Sequence, residues 1–185
     1  MDEPLHRKGR LLIASPSLVD PNFRRAVVLM LEHSEEGAVG LVLNRPTPLV
    51  ARQALPSRMA GALPEEEHVH EGGPVQPDAV IVLAEFVDPG HAATIAFGSV
   101  GVVDPEAEPD VLRDQVRAIR AFGGYAGWGV GQLESEIAQE AWIDAPCRAE
   151  DVFTDQPAEL WSRVLERKGG TYRLVARMPE DPSVN

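Results

Sequence analysis

The chain holds a single cysteine, Cys147, in 185 residues. An intrachain disulfide is therefore excluded, and so is a thiolate-cage zinc site within one chain. Long hydrophobic runs are missing too: nothing nears the roughly 18 apolar residues of a membrane span. The apolar patch at residues 11–14 is too short for a secretory core segment of about 7–15 residues. These shortages read as a cytoplasmic protein with no membrane partner. Basic charge is scarce, with 17 Lys and Arg against 29 Asp and Glu and a formal net charge of −12. The deficit lies in one part of the chain. Residues 1–60 carry eight basic and six acidic side chains, and the remainder carries nine and 23. An anionic body repels a phosphate backbone, so direct DNA binding is disfavoured. The basic clusters His6-Arg7-Lys8-Gly9-Arg10 and Arg24-Arg25 read as solvated surface.

Nucleotide and nucleophile signatures are also lacking. There is no G-x-x-x-x-G-K-[ST] and no G-x-S-x-G. The glycine-rich stretch GGYAGWGVGQLESEI, residues 123–137, fails the dinucleotide pattern, because Gln132 or Glu134 stands where the third glycine belongs. Glu134 and Glu136 would also repel a phosphate there. The glycines allow a tight corner under Trp128, and the corner could offer backbone N–H groups and Gln132 to a small polar ligand.

The length suits one domain, 1–185, with residues 1–8 and 179–185 as polar tails. RLLIA at 10–14 reads as a strand. AVVLMLEH (26–33) and AVGLVLN (38–44), joined by SEEG, read as a hairpin whose strands are covered on both faces. By the period of two, Glu32 would sit at the end of an apolar face, across from residues near Asn44. A short helix broken by Pro56 follows at 48–60. EEEHVHE reads as a solvated loop, and Gly72-Gly73 as a second corner. Residues 79–86 and 94–103 read as strands, the latter interrupted by glycine. Pro109 opens a helix that ends near Arg117, and a strand runs from there into the opening motif. Leu133, Ile137 and Ala141 share a helical face, with Gly131 and Glu134 as a weak capping box. A further strand lies near AWIDAP. Residues 157–168 form the clearest helix, stopped by Gly169-Gly170, and TYRLVARM reads as a closing strand. The pattern gives an α+β fold, a mixed and largely antiparallel sheet, partly barrel-like, with peripheral helices.

Candidate chemistry is thin. Ser15, His33 and Glu32 could form a hydroxyl–imidazole–carboxylate set. His68 and His70 put two imidazoles beside Glu71, but no third ligand is in view, so no metal site is assigned. Cys147 has no base partner nearby and is set aside. Arg113 and Arg117, interleaved with Asp110 and Asp114, read as a salt-bridged exposed face.

Four stretches form a recognisable set: GRLLIASPSLVDPNFRRAVVLMLEHSEEGAVGLVLNRP (9–46), EGGPV (71–75), GGYAGWGVGQLESEIAQEAW (123–142) and DPSVN (181–185). In these the chain resembles the AlgH/YqgE family of bacterial proteins. The resemblance implies a cytoplasmic single-domain α+β protein with no assigned reaction and a transcriptional-regulator label without a helix-turn-helix; no cofactor is assigned to the chain. It supplies no catalytic residues. Several matching positions fall at strand ends or corners, where sites are built on rigid sheets. The candidate ligand-binding set is Ser15, His33, Asn44, Arg45, Gly72, Gly73, Trp128 and Gln132, with Arg45 supplying positive charge to one polar groove. On that reading Arg45→Ala would weaken a ligand and leave the melting temperature nearly unchanged. The preferred function is a non-enzymatic binding or regulatory module for an unknown protein or small polar ligand. The alternative is a hydrolase using Ser15 or Glu32 with His33.

Overall fold

The two apolar runs of the hairpin are strands β2 (Val27–Ser34) and β3 (Gly37–Val42), flanked by β1 (Arg10–Ala14). The computed structural model describes residues 6–181 and 183. Of the polar tails expected at 1–8 and 179–185, residues 1–5, 182, 184 and 185 lie outside the described residues. Residues 6 and 7 are tied to the fold, His6 donating from Nδ1 to the carbonyl of His33 and the Arg7 guanidinium pairing with Asp144.

Both faces of the hairpin are covered, which is why its strands are apolar at almost every position. On one face Leu11, Ile13, Val27, Leu29, Leu31, Leu41 and Leu43 pack against Leu160, Trp161, Val164 and Leu165 of helix α6 (Leu160–Lys168). On the other, Leu12, Val28, Met30 and Val42 meet Leu18, Phe23, Trp128 and Leu133. Leu31 stays on the α6 face with Val27 and Leu29, and a β-bulge between Met30 and Glu32 shifts the register there, with Glu32 exposed. Glu32 pairs with Val39, not with the region of Asn44.

The spine is β9 (Val116–Trp128). Its C-terminal end pairs with β3, Ala38 opposite Trp128. One edge pairs along its length with β6 (Val75–Phe86). Its middle pairs in parallel with β5 (His68–Glu71), which in turn pairs with β4 (Pro46–Val50). The glycine interruption in 94–103 is a complete turn between β7 (Thr94–Phe97) and β8 (Val100–Val102). With β10 (Trp142–Pro146) beside β1, the order is β10-β1-β2-β3-β9-β6-β8-β7, one mixed, mostly antiparallel sheet of ten strands. It curls enough to bring Gly9 under Ala96 and Phe97. The partly barrel-like closure expected from the sequence is not formed, because the end strands β10 and β7 do not pair.

Short helices cover the remaining surfaces. Helices α1 (Ala51–Ala54), α2 (Ser57–Ala60) and α3 (Pro109–Gln115) place Ala51, Met59 and Leu112 over Val82, Phe86, Ile119 and Ala121. Helix α4 (Gln132–Ala138) follows Gly131, whose φ of +71° is the left-handed corner that glycine permits. Helix α5 (Ala149–Val152) precedes α6.

Two sequence expectations fail for tertiary reasons. TYRLVARM is not a strand but contains helix α7 (Tyr172–Val175). The outer edge of β10 is already served by Lys168 Nζ on the Asp144 carbonyl at 2.7 Å and Arg167 on the Pro146 carbonyl at 3.3 Å. The chain reverses at Gly169-Gly170 and packs Tyr172, Val175 and Ala176 on the core. EEEHVHE is not a loop throughout: β5 buries Val69 and His70 because β4 and β9 flank it.

Candidate functional site

Most of the motif residues are engaged inside the chain. Asn44 Oδ1 accepts the Val27 amide at 3.0 Å, and its Nδ2 donates to the Arg25 carbonyl at 2.8 Å. Arg45 holds the adjoining loop through the carbonyls of Pro21 and Arg24, at 3.0 and 2.9 Å. The amide of Gly72 donates to Gly123 and its carbonyl accepts from Val42, joining β3 to β9. A Cβ on Gly73 would strike the backbone of Tyr125. Gln132 Oε1 accepts the Gly129 amide at 3.1 Å, and its Nε2 donates to Glu136 at 3.0 Å.

Trp128 and Gln132 meet where β9 turns into α4, and the sheet face beside them is filled. Trp128 and Trp142, each 5 % exposed, pack with Phe23 in a three-ring cluster. Both indoles donate to Glu136. Gly72 and Gly73 lie elsewhere, at the β5–β9 junction.

The hydroxyl–imidazole set is not formed. The Ser15 hydroxyl bonds that of Ser17 at 2.7 Å. His33 Nδ1 accepts the Arg7 amide at 3.2 Å, so Nε2 carries the proton it donates to Glu134 at 2.6 Å. The β1–β2 register puts Ser15 beside the start of β2 and His33 near its far end, roughly 20 Å or more apart. The hydrogen bond from His33 holds the Glu134 carboxyl below its ordinary range. Glu134 thus serves the hairpin and makes no side-chain cap on its own helix.

Arg120 and His70 are buried as well. Arg120 pairs with Glu67 at 2.7 Å and donates to the carbonyls of Val152 and Thr154, binding β9 to the start of the C-terminal helices. His70, beside Phe122, donates from Nδ1 to the His68 carbonyl at 3.2 Å. Its Nε2 is buried without a partner among the described residues. Burial first, then the charge of Arg120, pushes His70 down to about 4. Burial likewise raises the Cys147 thiol, with the charge of Asp151 adding to it, so the sulfur is a poor nucleophile.

The open space lies on another part of the molecule. A cleft of about 540 Å³ runs between α2, the loop after it, α3 and the start of β9. That size suits a small molecule. Leu63, Leu112 and Ile119 are buried residues of its apolar lining, and Arg58, Arg113 and Arg117 supply its charge. The wall is held in place by Arg52, which donates to the Leu63 carbonyl from Nε at 3.1 Å and Nη2 at 2.7 Å. Arg58 forks onto Glu106 at 2.8 and 2.7 Å, and Arg113 meets Asp110 at 2.9 Å. Both pairs are exposed, a kind that contributes about 0–1 kcal/mol each. Arg117 has no ion pair among the described residues. The sequence suggested a salt-bridged face for Arg113 and Arg117. Only Arg113 is so paired, and Arg58 joins them from 55 or more residues away. No local signal announces that meeting. A smaller recess of about 210 Å³ lies between Glu32 and the β7–β8 turn strands. None of the eight candidate ligand-binding residues lines either space.

Comparison with known proteins shows the same fold over nearly the whole chain. A crystal structure of the Corynebacterium diphtheriae protein DIP2367 superposes with a TM-score of 0.85 at 26 % identity, covering 95 % of this chain and 94 % of that one. The solution structure of the AlgH protein from Pseudomonas aeruginosa has a TM-score of 0.70 at 32 % identity, covering 97 % of each. A UPF0301 protein of Streptomyces coelicolor is 45 % identical over 100 % of this chain and 98 % of its own length. A UPF0301 protein of Thermobifida fusca is 40 % identical over 96 % and 94 %. The AlgH-like family model matches residues 11–173, and the chain belongs to that family.

Proposed function

We propose that this protein is a cytoplasmic, non-enzymatic binding module that takes its ligand in the cleft between α2, α3 and the start of β9. The observation that carries this reading is the cleft itself: about 540 Å³, with an apolar lining and three arginines. The polar residues first marked by sequence pattern support it from the other side. Asn44, Arg45, Gln132 and His33 spend their hydrogen bonds on holding loops and strands together. Any regulatory role then runs through the bound partner, because a net charge of −12 works against a direct grip on duplex DNA. Among the described residues no helix is long and apolar enough to cross a membrane.

Native mass spectrometry of freshly purified protein tests the reading. The expected result is a retained non-covalent small molecule, lost when the cleft is blocked by Ala62→Trp. Reproducible turnover of a substrate that disappears in Ser15→Ala or His33→Ala would overturn it. A duplex titration at low salt should show no binding, and saturable binding there would restore direct DNA recognition.

A further inference from the structure

The cleft carries more information than its size. We infer that it is specific for a small organic anion, a carboxylate or phosphate monoester joined to a compact apolar group, with Arg117 as the anchoring residue. The inference rests on the reading of the cleft as the binding site and adds the chemistry of what enters it.

Charge comes first. Three of the 17 basic residues meet at one cleft in a protein with 29 acidic ones. Guanidinium groups fork onto carboxylate and phosphate oxygens. Arg58 already shows this habit, gripping Glu106 through both terminal nitrogens, and Arg113 meets Asp110 through a single contact. Those carboxylates belong to the chain and are exposed, so a better-seated anion can replace them at little cost. Arg117 needs no such release. It stands beside Val116 and Ala118 in the cleft lining, ready to make the first contact.

Backbone adds a second argument. From Val116 to Ala121, β9 is laddered to β6 on one side, and its further partners join only later, β5 from Phe122 and β3 from Ala126. In an antiparallel ladder the peptide groups alternate in direction, so part of this stretch aims amides away from β6. The stretch 116–119 lines the cleft. The apolar lining of Leu63, Leu112 and Ile119 then asks for an apolar body behind the charged head. A long polyanion is disfavoured, because Glu65, Glu106 and Asp110, paired with Arg52, Arg58 and Arg113, hold carboxylates beside the cleft. An extended acidic peptide meets the same carboxylates.

Titration of the full-length protein with phenyl phosphate and with phenylacetate, followed by backbone amide shifts, tests the inference and separates the two head groups. Phenol is the neutral control, and inorganic phosphate the control without an apolar body. At least one of the two organic anions should give saturable shifts at Gly61, Leu63 and Arg117, with a Kd of about 1 mM or tighter. Phenol should give none, and inorganic phosphate should bind at least about tenfold more weakly. Arg117→Ala should weaken the better anion about tenfold while the melting temperature stays put, because the side chain is exposed. Arg113→Ala provides a second, independent variant with a smaller loss. Shifts elsewhere on the molecule, equal affinity in Arg117→Ala, or tighter binding of poly-glutamate than of either probe would overturn the inference. If neither probe binds and the purified protein still retains a small molecule, the anion chemistry falls and the binding module stands.

Discussion

Trp128 and Trp142 donate their indole N–H groups to the same oxygen, Oε2 of Glu136, at 2.9 and 2.8 Å, with their rings edge-on at 5.9 Å. Trp128 ends β9 and Trp142 begins β10, so one carboxylate on α4 fastens two strands from different parts of the sheet. Gln132 donates to its other oxygen. Glu136→Leu removes every acceptor at once and leaves two mostly buried N–H donors without partners. Each such donor costs about 1–3 kcal/mol. For two donors that is about 2–6 kcal/mol, or a fall of roughly 4–24 °C in melting temperature for a chain of this size. Glu136→Gln keeps one carbonyl acceptor and should lose less than half as much. Thermal unfolding followed by tryptophan emission reads both variants, and equal losses for Leu and Gln would mean that the shared acceptor is not what holds the indoles.

Arg45 gives a prediction opposite to the one its sequence position suggests. Its guanidinium spans two carbonyls of the loop preceding β2, those of Pro21 and Arg24, and the loop in turn carries Phe23 into the three-ring cluster. Losing two hydrogen bonds from a charged donor should cost about 1–3 kcal/mol. Arg45→Ala is therefore expected to shift the urea midpoint downward and to leave binding of the phenyl anions unchanged. Arg45→Lys should recover only part of the loss, because a single ammonium cannot match the fork. Unchanged stability with weakened ligand binding would return Arg45 to the site.

How far the sequence reaches is clear from which residues decide each element. The hairpin, the long β9 and helix α6 were legible because their signals are local: continuous apolar runs, or apolar positions at helical spacing closed by Gly169 and Gly170. Strand β5 was hidden, because HVHE has no strand pattern of its own and becomes one between β4 and β9. The closing helix reads as a strand in sequence, since the sequence does not show that Lys168 and Arg167 already occupy the β10 edge. At the site level, the polar corner residues are seen bonding within the chain. Trp128 and Gln132 do meet, and they meet at Glu136, four residues beyond Gln132, a spacing that could have been read. The arginine cleft could not have been, because Arg58 and Arg117 come together only through folding.

Glycines at two positions should respond in opposite directions. A Cβ at Gly72 would run into the carbonyl oxygen of Gly124 and come within 2.9 Å of the Leu41 side chain, where β3, β5 and β9 are tied together. Gly72→Ala should therefore destabilise by about 1–3 kcal/mol through overpacking. Gly61 has right-handed helical geometry and open space around the same position. Gly61→Ala should stabilise by about 0.4–1 kcal/mol by narrowing the unfolded ensemble. Urea unfolding of the two single variants decides this, and a stabilised Gly72→Ala would show that the β3–β9 tie is slack.

His70 links the β5–β9 junction to pH. It packs on Phe122, with His68, Glu67 and Arg120 as the titratable and charged groups nearest it. Its folded pKa of about 4 lies below the ordinary histidine value of 6.5, so the unfolded chain takes up a proton that the folded chain refuses. Above pH 6.5 both states are neutral and the group contributes no pH dependence. As pH falls from there toward 4 the unfolded state gains protons first, and stability drops; below 4 both states are charged and the loss is complete. Between pH 7.5 and 5 the expected loss from this residue is about 2 kcal/mol. His70→Leu should cost about 1 kcal/mol at pH 7.5, where it gives up the bond to His68, and should flatten the curve between pH 7.5 and 5. Urea midpoints at those two pH values test the slope directly. An unchanged slope in His70→Leu would assign the pH dependence to another group and leave the buried Nε2 neutral for a reason other than burial.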